Sequence, residues 1–365
     1  MTESAQPVGS ILLHFDPETA DPDAPGDQLV GQLSTVTRVG DDLWLASDEA
    51  NTLERLSPLQ RGTFGRHRAF PIGELVDLPG EPEDEIDVEG LDHDAGWIWL
   101  VGSHGLKRRK ADPAKKGARQ IERLAEVRSD GNRFLIARVP VAEGRYGMAA
   151  CREDGDRRSA RLMGGRDGNI LVDALRTDPH VAAFLTIPSK DNGFDVEGVA
   201  AQGDRLFLGL RGPVLRGWAM VLELRLAEAV PGILTLVPND ERCLYRKHFL
   251  DLRGLGVREL CIDGDDMLVL AGPTMDLDGP AGIFRWRDAL RAKKESLVGR
   301  DDLPLVVSLP YGTGMHGECD HPEGMAPWDV EEGRARTMLV VYDAPHRRRI
   351  EGEEAVRADL FRLEG

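Results

Sequence analysis

The sequence predicts an all-β fold, a β-propeller of five four-stranded blades, and three observations carry that prediction. Short apolar strands recur behind polar turns, a Glu-Gly phrase recurs ahead of them, and the strand missing from the last repeat is found near the start of the chain. Units of this size cannot bury an apolar face alone and are stabilised by stacking on their neighbours.

The second strand of each repeat is the plainest. The runs 43–46, 98–101, 206–209, 267–270 and 338–341 are short and apolar. Such runs, flanked by Gly and Asp turns, read as buried strands, because a helix needs a longer periodic stretch. Gly40-Asp41-Asp42, Asp94-Ala95-Gly96, Gly203-Asp204 and Gly264-Asp265-Asp266 are hairpin sequences leading into four of them. First strands precede these turns and are marked by Ser34, Glu89, Glu197, Glu259 and Glu323.

Third strands are predicted at 52–56, 134–139, 220–224, 283–286 and 360–363, and fourth strands at 67–72, 181–188, 246–252 and 303–309. The last repeat has no fourth strand of its own. Residues 10–16 supply it, which closes the ring and removes an open sheet edge. The five markers are spaced by 55, 108, 62 and 64 residues. Because 108 is nearly twice 55, six blades is the alternative count. That interval holds no further apolar hairpin, only insertions at 107–133 and 142–180, which favours five blades in a single domain over 1–365.

The first insertion has a helix predicted over 113–126. Ile121, Leu124 and Val127 fall on one face, with Lys115, Lys116, Arg119 and Arg123 on the other, after the basic run Lys107-Arg108-Arg109-Lys110. A solvated face is the preferred reading of that charge, and a patch that binds an anion or a nucleic-acid strand is the alternative. The second insertion has a short helix at 169–176, stopped by Pro179, and its Arg-rich link over 152–166 reads as a surface loop.

Composition narrows the function classes. The 365 residues hold 46 Lys+Arg against 63 Asp+Glu, a net charge of −17, which disfavours sequence-independent nucleic-acid binding. No segment approaches the ~20 apolar residues of a membrane span. MTESAQPVGS has neither the basic start nor the apolar stretch of a signal peptide, so a cytoplasmic location is expected. Cys151, Cys243, Cys261 and Cys319 lie far apart, suggesting neither a disulfide framework nor a zinc knuckle. The Walker loop, the dinucleotide fingerprint and the nucleophile elbow are absent, so no nucleotide cofactor is expected.

The chemistry is expected on the first strands. Asp87-Val88-Glu89-Gly90-Leu91 recurs as Asp195-Val196-Glu197-Gly198-Val199 and as His321-Pro322-Glu323-Gly324-Met325, while Arg258-Glu259-Leu260 keeps only the Glu. First strands line a propeller's channel, so Glu89, Glu197, Glu259 and Glu323 converge on the axis. Carboxylates gathered in a low dielectric need a divalent cation (Ca²⁺, Mg²⁺ or Mn²⁺), arginine or lysine partners, or shared protons. A purely structural ring, stapled to backbone amides, is the competing reading.

Positions after the second strands differ between repeats: Asp48 with Glu49, Ser103 with His104, Arg211, Gly272 and Asp343. Variation at one equivalent place is what a ligand site on a symmetric scaffold produces. His104 is the candidate general base, with Glu197 as a second catalytic candidate. Asp48, Glu49, Ser103, Arg211 and Asp343 are candidate ligand contacts, and Arg211 serves equally as a partner of the Glu ring. His316 and His321, in a stretch rich in His, Glu, Asp and Cys, are candidate metal ligands alongside the four glutamates.

The D-V-E-G phrase, the Trp-Ile-Trp-Leu hairpin and Ser103-His104-Gly105-Leu106-Lys107-Arg108 resemble the bacterial domain-of-unknown-function family 3616, over roughly 34–363. More distantly, the Glu-Gly hairpins are similar to the esterase-like phytase propellers. That wider resemblance implies divalent-metal-dependent ester or phosphoester hydrolysis, although the repeats at Ser34 and Arg258 depart from the pattern. The expectation is therefore a propeller that binds a small polar molecule at its channel. The alternative is a non-catalytic scaffold for a protein partner. Neither involves nucleic acid or a membrane.

Overall fold

Leu43, Trp44, Leu45 and Ala46 are all fully buried, as are Met267 to Leu270. A strand apolar on both faces must be covered on both faces, so each sheet is packed between two others. The computed structural model describes residues 4–16, 26–111, 117–145, 147–275, 277–311 and 319–363. It is all-β and propeller-like.

Among the described residues the strands form five antiparallel meanders. The first is β2 (Leu33–Val39), β3 (Asp42–Ser47), β4 (Thr52–Gln60) and β5 (Thr63–Pro71). The second is β6 (Val88–Asp94), β7 (Trp97–Gly102), β8 (Ile136–Gly144) and β9 (Ala160–Leu162). The third is β10 (Asp195–Gln202), β11 (Arg205–Leu215), β12 (Trp218–Val230) and β14 (Tyr245–Leu250), with β13 (Ile233–Leu236) also on β12. The fourth is β15 (Gly256–Asp263), β16 (Asp266–Gly272), β17 (Ala281–Trp286) and β18 (Leu305–Leu309). The fifth is β19 (His321–Glu331), β20 (Arg334–Asp343) and β21 (Ala355–Arg362), completed by β1 (Gly9–His14).

β1 pairs with β21 from Gly9↔Leu360 to His14↔Ala355, and also runs parallel to β5 at Leu12↔Thr63 and Leu13↔Phe64. It thereby joins the last meander to the first. The first strands β2, β6, β10, β15 and β19 touch in that cyclic order, and β19 returns to β2. They surround one axis.

Two predicted elements are placed differently. Residues 181–188 are not the fourth strand of the second meander; they contain the 3₁₀ turn Ala182–Phe184. The strand is β9, inside the link expected to be a surface loop. Three residues suffice there because Ala160 and Leu162 are buried while the Arg161 guanidinium donates to the Leu162 and Gly164 carbonyls, and Val181 instead packs with Leu171 and Leu175. The helix predicted at 113–126 is Ala118–Ala125, and 112–116 lie outside the described residues. Its Ile121 and Leu124 are exposed. The helix predicted at 169–176 is Ile170–Leu175, capped by the Asn169 side-chain Oδ1, which accepts from the Leu171 and Val172 amides.

Each first strand is broken by a bulge, where one residue has no partner on the second strand. The bulged residues are Ser34, Glu89, Glu197, Arg258 and Glu323. The alignment through Glu259 is therefore off by one position, and the fourth meander places Arg258 at the ring. The residue after the bulge explains the Gly of the repeated phrase. A Cβ on Gly198 would lie 2.9 Å from Glu259 Cα, and one on Gly324 would lie 2.7 Å from Thr35 Cα. Backbones of adjacent first strands meet there with no room for a methyl group.

Gly198→Ala and Gly324→Ala are each expected to destabilise the fold by about 1–3 kcal/mol through overpacking. Gly165→Ala, whose Cβ meets nothing within 4 Å, is expected to stay within roughly 0.5 kcal/mol of wild type. Urea unfolding midpoints of the three variants check this.

Candidate functional site

The bulges turn Glu89, Glu197, Arg258 and Glu323 toward the axis, and charge decides how they settle. Arg258 Nη1 donates to Glu197 Oε2 at 2.9 Å and to Glu323 Oε1. Arg211, at the end of β11, ion-pairs through Nη1 with Glu197 Oε1 at 2.6 Å and through Nη2 with Asp195 at 2.5 Å. A third guanidinium arrives from an insertion. Arg133, in the 3₁₀ turn Gly131–Phe134, ion-pairs with Asp87 at 2.5 Å and Glu85 at 3.2 Å. Arginine suits such places because its planar fork stays charged when buried and serves two acceptors.

Above the ring lies a cavity of about 570 Å³, lined by Asp48, Glu49, Asp87, Glu89, Arg211, Glu323 and Asp343 on its inner side. Lys107, Arg108, Arg109, Lys110, Leu124 and Arg128 form part of its outer wall. A smaller recess beside it is lined by Arg258, Gly272, Met275, Leu277, His321 and Asp343. The ends of the second strands and the starts of the first strands thus meet at one mouth of the axis.

Carboxylates outnumber guanidiniums here, and among the described residues Glu89, Asp48 and Asp343 are left without an arginine partner. Glu89 is 8% exposed, and among the described residues no salt bridge reaches it. Burial, then Asp87 and Glu197, push its carboxyl well above the usual range. Asp48 is also driven well up, by burial and then Asp343, and its Oδ1 is buried with no hydrogen-bond partner. Asp343 is raised to about 6 by burial and Glu323, against Lys190, His321 and Arg258. Burial raises Glu197 to about 7 against the pull of Arg211 and Arg258.

Several expected site residues are elsewhere. Glu259 is 1% exposed and accepts from Thr35 Oγ1 at 2.6 Å, Leu260 N at 3.0 Å and Val199 N at 3.2 Å. β2 and β15 are not neighbours in the ring, so the Thr35–Glu259 bond crosses the axis and braces it. That is a structural staple. His104 is not placed to act as a base. Its backbone is left-handed at φ 59°, its Nδ1 bonds the Gly102 carbonyl at 2.7 Å, and Asn169 Nδ2 lies 2.8 Å from its Nε2. Both ring nitrogens are engaged, and burial lowers its pKa to about 4. Ser103 is fully buried outside the cavity lining, its amide donating to the Asp87 carbonyl.

The expected metal set does not assemble. Glu197 and Glu323 are held by arginine, Glu259 belongs to the brace, and His321 Nε2 sits 3.0 Å from Asp278. His316 lies outside the described residues. Among the described residues no three His, Cys, Asp or Glu side chains are grouped to hold a metal ion. Arginines compensate Glu197 and Glu323, the second of the expected means of settling the ring. Asp48, Glu49, Arg211 and Asp343 do line the cavity as expected, and Arg211 partners the ring as well.

The family model described as protein of unknown function (DUF3616) matches residues 32–359. The chain belongs to this family. No curated protein matches it. Among solved structures it is similar to glutaminyl cyclase from Myxococcus xanthus, 10% identical over 99% of this chain and 97% of that one, with a TM-score of 0.43. It is also similar to xylan β-1,4-xylosidase from Bacillus halodurans C-125, at 11% identity, 92% and 54% coverage and a TM-score of 0.44. A streptogramin B lyase gives 10% identity, 96% and 98% coverage and a TM-score of 0.34. Among the described residues of this family member, no helix is long and apolar enough to cross a membrane.

Arg133 and Arg258 were missed by the sequence reading. Arg258 was detectable, since aligning repeats by the bulge rather than by Glu places it at the ring. Arg133 had no such signal, because a turn inside an insertion delivers it from 46 positions beyond Asp87.

Two outcomes follow from the charge arrangement. Arg258→Met leaves Glu323 without its guanidinium and Glu197 with one, and is expected to cost about 3–5 kcal/mol at neutral pH. Adding Glu323→Gln should recover part of that loss, and denaturant unfolding of the single and double variants measures it. His104 has a folded-state pKa of about 4, below its unfolded value near ~6.5. The unfolded chain therefore takes up its proton first, so stability falls as pH drops from about 6.5 to about 4, by roughly 3 kcal/mol. His104→Gln should flatten that limb in a comparison of stability against pH.

Proposed function

We propose that the five meanders are the blades of a five-bladed propeller that binds a small polar molecule at this mouth of its axis and hydrolyses an ester or phosphoester bond in it. The single observation that carries this reading is Glu89: a buried carboxyl with no cationic partner among the described residues, opening onto a cavity of about 570 Å³. That volume is within the range of small-molecule sites. Carboxyls that line one cavity in different environments can divide acid from base work. Glu89, held protonated, gives its proton to the leaving oxygen. Asp343, ionised above about 6, takes one from the attacking water.

Ester or phosphoester chemistry is what the resemblance to esterase-like phytase propellers implies. The scaffold alternative draws support from the exposed Ile121 and Leu124 on the first insertion, an apolar face that a protein partner would cover. Loss of turnover in cavity variants separates the two.

With carboxylic esters, lactones and phosphomonoesters as substrates, Glu89→Gln and Asp343→Asn are each expected to lower kcat by on the order of 10²–10⁴ while the far-ultraviolet circular dichroism is retained. Activity should rise as pH passes about 6, where Asp343 ionises. Turnover that survives both substitutions would sink the assignment.

A further inference from the structure

The basic run of the first insertion was expected to be solvated surface, yet it forms a wall of the cavity. Lys107–Arg108 pairs with Val127–Arg128 in a small hairpin, which sets Lys107, Arg108, Arg109, Lys110 and Arg128 along one side of the opening. Some of this charge is matched locally. Lys107 meets Glu85 at 2.8 Å and Arg108 meets Asp191 at 2.7 Å. The rest is not. Arg109 and Arg128 share Glu126, at 2.7 Å and 3.5 Å, and no acid bonds the Lys110 ammonium among the described residues. Positive charge is therefore in excess at the outer wall, while the guanidiniums at the inner end are spent on carboxylates.

From this polarity we infer that the substrate is anionic at its outer end, a phosphoester whose phosphate rests on Lys110, Arg109 and Arg128 while the rest reaches toward Glu89. The inference rests on the ligand-binding reading of the same cavity and deepens it to a substrate class. A polyanion is a poorer fit. Asp130, Asp191, Glu49 and Glu85 border the same opening, and a chain of net charge −17 repels an extended phosphate backbone. A single phosphate instead meets the excess cations locally. Guanidinium groups match its oxygens in pairs, and a local excess of cations attracts a compact anion.

The test uses the full chain carrying Glu89→Gln, so that probes bind without turnover. Two are titrated by calorimetry: p-nitrophenyl phosphate and the uncharged p-nitrophenyl acetate. The phosphate is expected to bind more tightly, and its advantage should shrink about tenfold or more in Lys110→Glu/Arg128→Glu. Lys110→Gln should give an intermediate loss, and raising salt from about 50 to about 300 mM should weaken the phosphate selectively. If the acetate binds as well as the phosphate, or charge reversal leaves their ratio unchanged, the phosphoester inference falls and the ligand-binding reading stands. If neither probe binds, both fall. A single-stranded oligonucleotide that binds more tightly than p-nitrophenyl phosphate would overturn the small-molecule assignment in favour of a nucleic-acid surface.

Discussion

The arrangement depends on Arg258 reaching two carboxylates that belong to the meanders on either side of its own. Glu197 precedes it around the axis, Glu323 follows it, and one guanidinium nitrogen serves both. Without that bridge, three first strands would press buried negative charges together in a low dielectric. Arg211 and Arg133 extend the same principle outward by fixing Asp195 and Asp87. The ring therefore closes electrostatically as well as by backbone packing at Gly198 and Gly324.

Compensation is incomplete on one side, and that side faces the cavity. Glu89 holds the bulge position equivalent to Glu197, yet among the described residues no arginine bonds it. Burial and the neighbouring carboxylates instead push its carboxyl well above the usual range, which suits proton donation. Below the ring, Thr35 and Glu259 brace the axis. A pentad of equivalent positions has thus been divided among a bridge, an open acid and a neutral serine, with the brace one residue further along each strand.

Much of this was legible in advance. The apolar runs at 43–46 and 267–270, their Gly/Asp turns and the N-terminal strand are set by local pattern, and they appear where that pattern puts them. β9 was not legible, because a three-residue strand containing one arginine has no periodicity to detect. At the site, Asp48, Glu49, Arg211 and Asp343 were found from their place after the second strands. His104 occupied the same nominal place, but a left-handed backbone turned it toward Asn169.

By itself the sequence determined the strands, their order and the convergence of carboxylates on an axis, because burial on both faces and hairpin turns are local properties. Only the tertiary structure decided which residue stands at the ring in the fourth meander, since a bulge shifts register by one and reverses which side chain faces inward. It also decided which carboxylates are neutralised, because Arg133 and Arg211 meet their partners through contacts that no spacing along the chain encodes. The meaning of the basic run changed for the same reason. A stretch that reads as solvated surface becomes a cavity wall once the hairpin folds it over the mouth of the axis.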